Sequence, residues 1–403
     1  MVMIERKEYM NQLRALRDEP IIKVVTGIRR CGKSTLLDMF REELLKSGVA
    51  KEQIIAINFE DEKFADLTNR RALYQYLSDQ FIAGKKNYIF LDEVQNVEEF
   101  ERVVDSFYIQ PNVDIYITGS NAYLLSSELA TLLSGRYIEI SMLPFSFKEY
   151  VESLGERTDY GVRLGEYLES SSFPYAVRLE NKDSNLINQY LRNVYDSVYV
   201  KDIMTRKQIK NERAFENVLK FVLGSVGSSV SPNSVAASLS VDDKTIANRT
   251  VETYLKALSD SFILYPVGRF DIRGKQQLRT QEKYYVVDLG LRRIFLGKEK
   301  DADRGHLLEN VVYLELLRRG GEVFIGKVDS NEVDFIVKNN DGTISYYQVA
   351  YTAKESRTME RELKPLRDIT DNYPKYLLTT DEFEYDESGM QILNVGKWLL
   401  GSV

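Results

Sequence analysis

The chain contains very little cysteine, histidine and tryptophan, with one residue of each among its 403. One cysteine cannot form an internal disulfide, and one histidine cannot build a metal site made of several histidines. Long apolar runs are missing as well, because none approaches the roughly 18 to 20 residues that a bilayer-spanning helix needs. The start of the chain lacks the apolar core of a signal peptide. We therefore expect a cytoplasmic protein with no membrane partner.

Positive charge is not in excess either. Lysine and arginine total 54 against 61 aspartate and glutamate residues, which gives a formal net charge of −7. This excludes a generally basic nucleic-acid coat protein, so any contact with DNA must be local. What the chain does have is 43% hydrophobic and 29% charged residues, a composition typical of folded protein. Its length predicts two to three domains.

A glycine-rich segment follows a short apolar run at residues 20–26 and matches G-x-x-x-x-G-K-S. Such glycines let backbone N–H groups curl around a triphosphate, while the lysine reaches the β and γ phosphates and the hydroxyl binds Mg²⁺. The helix expected after the loop directs the positive end of its dipole at the same phosphates. We expect Cys31 to be a small filler rather than a reactive thiol. The predicted ligands of ATP or ADP are Gly27, Ile28, Arg29, Arg30, Cys31, Gly32, Lys33, Ser34 and Thr35, with Ser34 also on the metal.

An acidic pair, Asp92 and Glu93, follows the apolar run at residues 87–91. We expect it at the end of a strand neighbouring the strand of the glycine-rich loop. Asp92 would then hold the Mg²⁺ shell and Glu93 would polarise the attacking water, with Lys33 completing the catalytic set. The alternative is an ordinary boundary between a strand and a loop. Glu60 and Asp61 end an earlier apolar run in the same way and are interpreted as a feature of the rim.

Two further residues are candidates for catalysis. The apolar run 114–118 ends in Gly119-Ser120-Asn121, where Ser120 or Asn121 would touch the γ-phosphate or the water. A helix is expected from 122 to 133, with Arg136 shortly after it. Arg136 would either reach the nucleotide of a neighbouring subunit as an arginine finger or satisfy carbonyl groups at the end of that helix.

These motifs together resemble the AAA+-type P-loop ATPases of bacteria and archaea that carry a C-terminal nuclease-like domain. The resemblance rests on the glycine-rich loop, Leu91-Asp-Glu-Val-Gln95, Thr118-Gly-Ser120, Leu133-Ser-Gly-Arg136 and Leu143-Pro-Phe-Ser-Phe-Lys-Glu-Tyr150. It covers nearly the whole chain and implies a parallel-sheet P-loop NTPase domain and a C-terminal nuclease-like domain. With the segments between them we predict an α/β fold: the P-loop NTPase domain, a helical linker, a winged helix and a restriction-endonuclease-like α/β domain. The bounds we predict for these parts are 1–148, 149–211, 212–290 and 300–403.

The third part combines short helices, a polar turn and two β-runs, a pattern typical of a winged helix-turn-helix. Its second helix is expected to begin near residue 245 and to enter a major groove. The hairpin that follows has five basic and two acidic residues between 262 and 283, which favours phosphate contact. Contact between subunits is the alternative use. The predicted DNA contacts are Lys244, Thr245, Asn248, Arg249, Arg273, Lys275 and Arg279.

The last part has the layout of PD-(D/E)xK nucleases, in which a helix carboxylate and a strand aspartate gather metal and a second strand carries E-x-K. Glu309 and Asp334 match the first two positions, but Gln348 and Ala350 stand where the E-x-K motif has its glutamate and lysine. Glu332 and Lys354 could substitute for the lost groups. We expect a vestigial site at Glu309, Asp334 and Gln348, and binding rather than cleavage.

Three functions remain open on the sequence. The first is an ATP-hydrolysing, homo-oligomeric switch that acts on or near duplex DNA. The second is a metal-dependent endonuclease gated by ATP. The third is a signalling module whose winged helix binds protein.

Overall fold

The chain divides into two compact units. In this computed structural model one unit comprises Met1–Pro144 with Asp260–Phe262, and the other Phe145–Ser259 with Ile263–Val403. The structure describes residues 4–122, 133–155, 159–179, 183–204, 209, 211–240, 246–297 and 304–402. The predicted segments 149–211 and 300–403 therefore fall within the second unit, as does 212–290 apart from Asp260–Phe262.

The first unit is built on a five-stranded parallel sheet. Each strand is a short apolar run, and β3 and β4 are buried on both faces, as strands of a covered parallel sheet are. The order is β2-β3-β4-β1-β5, so β4 separates β1 from β3. The strands are β1 (Ile22–Thr26), β2 (Ile54–Asn58), β3 (Asn87–Asp92), β4 (Val113–Gly119) and β5 (Tyr137–Ser141).

Helices cover this sheet and connect its strands. Their apolar faces pack on β-strand side chains such as Ile89 and Ile117 to form the core, where burial is the main stabilising term. The four α-helices among the described residues of this unit are α1 (Lys7–Leu16), α2 (Lys33–Lys46), α3 (Arg70–Gln80) and α4 (Phe100–Tyr108). The predicted helix at 122–133 lies mostly outside the described residues.

The second unit begins with helices. Ser146 starts the first of them through a capping box with Glu149, and Asp288 accepts a hydrogen bond from the N–H of Leu291 at the start of another. These helices are α5 (Phe147–Leu154), α6 (Tyr160–Glu169), α7 (Pro174–Leu179), α8 (Ser184–Val198), α9 (Glu212–Gly224), α10 (Pro232–Leu239), α11 (Asn248–Asp260) and α12 (Leu289–Leu296). No helix in the described ranges is both long and apolar enough to cross a membrane.

One nine-stranded sheet runs through the second unit, in the order β13-β14-β12-β11-β10-β9-β7-β8-β6. Strands from the predicted winged-helix and nuclease-like segments meet where β7 pairs in parallel with β9. The strands are β6 (Ser229–Val230), β7 (Leu264–Asp271), β8 (Gln276–Val286), β9 (Glu322–Val328), β10 (Asn331–Lys338), β11 (Ile344–Ala350), β12 (Lys375–Thr379), β13 (Tyr385–Glu387) and β14 (Met390–Asn394).

The carboxyl-terminal part of this sheet alternates with three helices, α13 (Arg304–Arg318), α14 (Ser356–Arg367) and α15 (Val395–Leu400). Strands β9, β10 and β11 form an antiparallel meander. After α14 the chain returns as β12, which is parallel to β11. Strands β10 and β11 form a hairpin that contains Asp334 and Gln348, and α13 contains Glu309.

Candidate functional site

The glycine-rich loop connects β1 to α2 and needs glycine at two positions. Gly27 has φ of 144° and Gly32 has φ of 109°, a region that favours glycine. A Cβ atom on Gly27 would lie 2.1 Å from the carbonyl oxygen of Met142. The loop conformation therefore requires glycine at residue 27, and the loop leads directly into α2.

Lys33 is the first residue of α2, and its side chain is 3% exposed. Its ammonium donates to the carbonyl oxygens of Gly27 at 2.9 Å and Ile28 at 3.3 Å. It also lies 3.5 Å from Oε1 of Glu93. A phosphate group entering the loop would provide anionic oxygen atoms in place of these neutral carbonyls, and such charge-assisted bonds are stronger.

Asp92 ends β3 and is held in a polar cluster. Thr118, at the end of the adjacent strand β4, donates its hydroxyl to Oδ1 of Asp92 at 2.5 Å, and the hydroxyl of Ser34 is also hydrogen-bonded to Asp92. Burial raises the pKa of the Asp92 carboxyl above its usual value, although these two hydrogen bonds oppose the rise. A carboxylate beside a hydroxyl at the start of α2 is a suitable oxygen ligand set for Mg²⁺.

Glu93 follows in the left-handed backbone region, with φ of 53°, and its N–H donates to Oγ1 of Thr118 at 2.9 Å. Its buried carboxylate accepts a hydrogen bond from Gln95 and lies 3.5 Å from Lys33 and 4.0 Å from Arg29. Burial alone would raise its pKa, but the nearby positive charges of Lys33 and Arg29 outweigh burial and lower it. Glu93 is therefore suited to remain ionised, as a general base must be.

Arg29, inside the loop, makes an ion pair with Glu60 at 2.8 Å and approaches Oε2 of Glu93 to 4.0 Å. Glu60, which was predicted as a rim feature, thus neutralises a cation of the phosphate loop. Cys31 is fully buried, which raises the pKa of its thiol and agrees with its prediction as a filler. Arg6 donates to the carbonyl oxygens of Cys31 at 3.0 Å and Leu143 at 2.6 Å, a support for the loop that sequence reasoning missed.

The structure brings together Lys33, Ser34, Asp92, Glu93 and Ser120, all at the carboxyl end of the sheet. One detail of the prediction was wrong: β3 is not the neighbour of β1, because β4 lies between them. The acidic pair still reaches the loop because β4 also ends there, and Thr118 on β4 bonds to Asp92. Gln95 was not predicted as part of the site, although its side chain donates to Glu93. No property of glutamine in a short turn signals such a contact.

Arg136 does not lie in the nucleotide site of its own chain. It directly precedes β5, and Tyr137 at the start of β5 pairs with Ile22 at the start of β1, so Arg136 is at the opposite end of the sheet from the loop. Its side chain makes an ion pair with Asp105 and lies over the ring of Tyr108 at 5.4 Å. Among the described residues, the side chain of Arg136 thus contacts α4 rather than the carbonyl groups at a helix end.

The second unit gathers the predicted nuclease-like residues. Asp334 on β10 accepts a hydrogen bond from the N–H of Val349 at 2.9 Å, and Oε1 of Gln348 accepts one from the N–H of Asp334 at 3.3 Å. Burial and the charge of Glu309 raise the pKa of Asp334 well above its usual value. Carboxylates that share a buried site behave in this way.

A lysine lies within this acidic cluster. The ammonium of Lys283 on β8 contacts Glu309 at 2.9 Å and Glu332 at 2.8 Å, and Tyr285 donates to Glu309 at 2.5 Å. Burial alone would lower the pKa of Lys283, yet these carboxylates raise it. Lys354, the predicted substitute cation, is instead mostly exposed and 3.9 Å from Asp381. Within the described ranges no group of three or more His, Cys, Asp or Glu residues is arranged to hold a metal ion.

The predicted basic hairpin is partly neutralised by acidic residues. Lys283 is buried in the cluster just described, Arg269 makes an ion pair with Glu332, and Arg273 lies 2.6 Å from Asp329. Carboxylates from β10 and the β9–β10 turn thus offset part of the positive charge of the hairpin, and its contact with phosphate stays a prediction. Lys275 lies in the turn between β7 and β8 and is exposed.

The predicted recognition helix begins at Asn248, as α11, and Arg249 is exposed on its first turn. The side chain of Asn248 donates to Asn233 on α10. Lys244, Thr245 and the side chain of Arg279 lie outside the described residues. The order α9-β6-α10-α11-β7-β8 and the pairing of β6 with β8 agree with a winged-helix layout, which remains a prediction.

Three family models match successive parts of the chain. Residues 19–151 match the AAA domain, and residues 162–302 and 304–398 each match a domain of unknown function. An uncharacterized protein of Haemophilus influenzae is 39% identical over 99% of both chains. An uncharacterized protein of Methanocaldococcus jannaschii is 28% identical over 93% of this chain and 84% of that one.

Solved structures also share similarity with the chain. The Walker-type ATPase of Pyrococcus abyssi is 15% identical, with a TM-score of 0.49 over 73% of this chain and 96% of that chain. DnaA of Aquifex aeolicus, solved with AMPPCP bound, is 16% identical, with a TM-score of 0.34 over 64% of this chain and 89% of that chain.

Proposed function

The chain belongs to the same family as its Haemophilus influenzae relative and carries an AAA domain, and from this premise we propose that it binds MgATP and hydrolyses it as a homo-oligomeric switch acting on or near DNA. The observation that carries the ATPase proposal is the meeting of Lys33, Asp92 and Glu93 at one end of the parallel sheet. A buried ammonium, a carboxylate hydrogen-bonded to a hydroxyl and an ionised neighbouring carboxylate are the groups that phosphoryl transfer to water needs.

The loop binds and orients the triphosphate. Backbone N–H groups between Gly27 and Thr35 contact its oxygens, and Lys33 turns from the carbonyls of Gly27 and Ile28 towards the β and γ phosphates. Ser34 and Asp92 hold Mg²⁺, which supplies charge neutralisation at the phosphates when it is bound. Ser120, at the end of β4, is placed to contact the γ-phosphate or the attacking water.

Glu93 is the proposed general base. Its pKa is lowered by Lys33 and Arg29 against the effect of burial, so at neutral pH it is ionised and can accept a proton from water. Proton transfer by a positioned side chain contributes about 10²- to 10⁴-fold to a rate. Glu93→Gln is isosteric and removes this capacity together with the negative charge beside Lys33 and Arg29.

Calorimetry with ATP and Mg²⁺ on the purified chain tests the proposal. We expect a heat of binding that Lys33→Ala removes and Glu93→Gln preserves, while both variants lose ATP turnover. Turnover by Glu93→Gln at the wild-type rate would contradict the assignment of Glu93. Full ATP affinity and turnover in Lys33→Ala would contradict the ATPase proposal itself.

The DNA part of the proposal is supported by two exposed cations at places where a winged helix would contact phosphate, Arg249 on the first turn of α11 and Lys275 in the hairpin turn. We expect duplex DNA to bind with a salt dependence that weakens in Arg249→Ala and Lys275→Ala, because each phosphate contact releases counterions. An electrophoretic shift over a salt series measures this. Absence of salt-sensitive binding would favour the alternative, a protein partner for this segment.

The carboxyl-terminal part is proposed as a nuclease-like fold that does not cut. Its acidic cluster contains the ammonium of Lys283 at 2.9 Å from Glu309, and Gln348 and Ala350 provide neither the acidic ligand nor the lysine of the motif. A lysine cation already compensates the carboxylates that a divalent metal would need. Plasmid that stays intact with Mg²⁺ or Mn²⁺, with and without ATP, is the expected result, and nicking or linearisation would favour the ATP-gated endonuclease.

A further inference from the structure

Gln95 lies in a short 3₁₀ turn, Val94–Asn96, directly after Glu93. Its side-chain nitrogen donates to Oε2 of Glu93 at 2.5 Å and to Oγ of Ser120 at 3.2 Å. A glutamine amide group has two N–H donors, and both are used here. One side chain thus joins the carboxylate after β3 to the hydroxyl after β4.

The chemistry of Glu93 fixes which end of the amide faces it. An ionised carboxylate only accepts hydrogen bonds, so the nitrogen of Gln95 must point towards it. The amide oxygen of Gln95 is then directed elsewhere. It is buried and has no hydrogen-bond partner within the described part of the chain, which leaves the amide group with capacity for one more donor.

The two oxygens of Glu93 are held by different groups. Oε2 accepts from Gln95 and lies 4.0 Å from Arg29, whereas Oε1 lies 3.5 Å from the ammonium of Lys33. Lys33 is the group that a polyphosphate engages. Under the proposed function, binding of the polyphosphate draws the Lys33 ammonium away from Oε1, whereas the hydrogen bond from Gln95 to Oε2 involves no side chain of the loop.

We propose that Gln95 is a positioning residue for ATP hydrolysis: its amide holds Oε2 of Glu93, links it to Ser120, and leaves Oε1 as the oxygen that takes the proton from water. The inference rests on the proposed ATPase function. In the step, the water O–H bond breaks and its proton moves to Oε1 of Glu93. The water oxygen bonds to the γ-phosphorus, the bond to the β–γ bridging oxygen breaks, and that oxygen leaves with ADP. The proton then passes from Glu93 to the released phosphate.

The opposing interpretation is that Gln95 only stabilises the turn after β3. The neighbouring Asn96 tests this, because it is exposed and belongs to the same turn, and its side chain donates to the carbonyl oxygen of Phe59, at 3.5 Å. Asn96→Ala perturbs the turn without touching Glu93 or Ser120. It is therefore the matched control for variants of Gln95.

The experiment compares Gln95→Ala, Gln95→Glu and Asn96→Ala with the wild type in three measurements: the Kd for ATP with Mg²⁺ by calorimetry, kcat and KM for ATP hydrolysis, and the midpoint of thermal unfolding. For Gln95→Ala we expect kcat to fall about 10- to 100-fold, as misplaced catalytic groups do, with Kd and KM nearly unchanged. Gln95→Glu keeps the shape but loses both donors and faces Glu93 with a like charge, so its kcat should fall further. Asn96→Ala should keep wild-type values.

A wild-type kcat in Gln95→Ala would overturn the inference. So would a parallel loss of ATP affinity, kcat and unfolding midpoint in both Gln95 variants, because that pattern indicates a packing role. If Gln95→Ala does not fold, the isosteric Gln95→Glu decides the question by the same split between kcat and KM. A wild-type chain that binds ATP without any turnover refutes the hydrolysis proposal and this inference together, whereas measurable turnover that is unaffected by Gln95 refutes the inference alone.

Discussion

At the scale of single residues, the phosphate loop depends on a glycine for two separate reasons. Gly27 has a positive φ, and its Cα faces the carbonyl oxygen of Met142 so closely that a Cβ atom would lie 2.1 Å away. A flexible side chain can move away from such a clash, but a backbone carbonyl of the segment after β5 cannot. The loop conformation is thus coupled to the position of the chain just beyond β5.

We predict that Gly27→Ala loses ATP affinity by at least tenfold and lowers the free energy of unfolding, measured by calorimetry and urea unfolding. Gly48→Ala is the control, because Gly48 also has a positive φ, 94°, but a Cβ atom there would meet no atom of the described part of the chain within 4 Å. In the control the free energy of unfolding should fall by only about 1 kcal/mol, the cost of a left-handed backbone for alanine, and ATP binding should be unchanged. Equal ATP affinity in the two variants would contradict the role given to Met142.

At the scale of secondary-structure elements, β8 and α13 are joined by a buried charge pair. Lys283 on the strand and Glu309 on the helix are 4% and 8% exposed at their side chains. Removing one partner of such a pair leaves the other charge buried without compensation, and this costs about 3 to 5 kcal/mol. Replacing both partners by apolar residues costs less, because Glu309 is then no longer a buried charge without its cation, and Glu332 keeps its ion pair with Arg269.

We therefore expect Lys283→Met to lower the free energy of unfolding by about 3 to 5 kcal/mol, and Lys283→Met combined with Glu309→Met to recover most of that loss. Arg273→Ala is the comparison for an exposed pair, since Arg273 and Asp329 are 59% and 48% exposed. Arg273→Ala should change the free energy of unfolding by no more than about 1 kcal/mol. Urea unfolding of the full chain measures all three, and a double variant as unstable as Lys283→Met would argue against charge compensation.

The same pair explains where prediction from sequence fails at this scale. The glycine-rich loop and the Asp92-Glu93 pair were predictable, since each is a local pattern of apolar run followed by polar residues. Lys283 looks like a basic residue of an exposed hairpin because nothing near it in the sequence is acidic except Glu282. Its real partners, Glu309 and Glu332, are contributed by α13 and β10, so the pairing depends on tertiary packing.

At the scale of the whole molecule, the nucleotide loop and Arg136 lie at opposite ends of the five-stranded sheet. Strand β5 has five residues, which corresponds to about 16 Å at the usual rise per residue. Arg136 therefore acts on a nucleotide only if that nucleotide belongs to another copy of the chain, which is the arrangement that a head-to-tail assembly provides. In the single chain, the guanidinium of Arg136 makes an ion pair with Asp105 of the same chain.

We predict that Arg136→Ala retains ATP binding but loses turnover, and that mixing it with Glu93→Gln restores part of the activity. The first variant supplies intact Glu93 and the second supplies intact Arg136, so an interface between them contains both. An arginine finger is worth on the order of 10³-fold or more in rate, which makes even partial restoration easy to measure in a steady-state ATPase assay. Two variants that remain inactive when mixed would contradict action in trans.

The whole-molecule scale also marks the limit of what the sequence predicts. Individual strands are visible as apolar runs, and the order of elements between Glu212 and Val286 agrees with the expected pattern. The pairing of Arg269 to Asp271 with Ile325 to Lys327 joins segments more than fifty residues apart. Such long-range register has no local signature, so two separate domains were expected where one sheet is present.

Because the nine-stranded sheet is continuous, a fragment that divides it would expose an unpaired edge strand. A fragment that stops after α12 would leave β7 without its partner β9, and a fragment that starts at α13 would leave β9 without its partner β7. Unpaired N–H and C=O groups along such an edge recruit other chains into β-sheet aggregates. We therefore expect a fragment of residues 145–403 to be soluble on expression, whereas fragments that end after α12 or begin at α13 should precipitate.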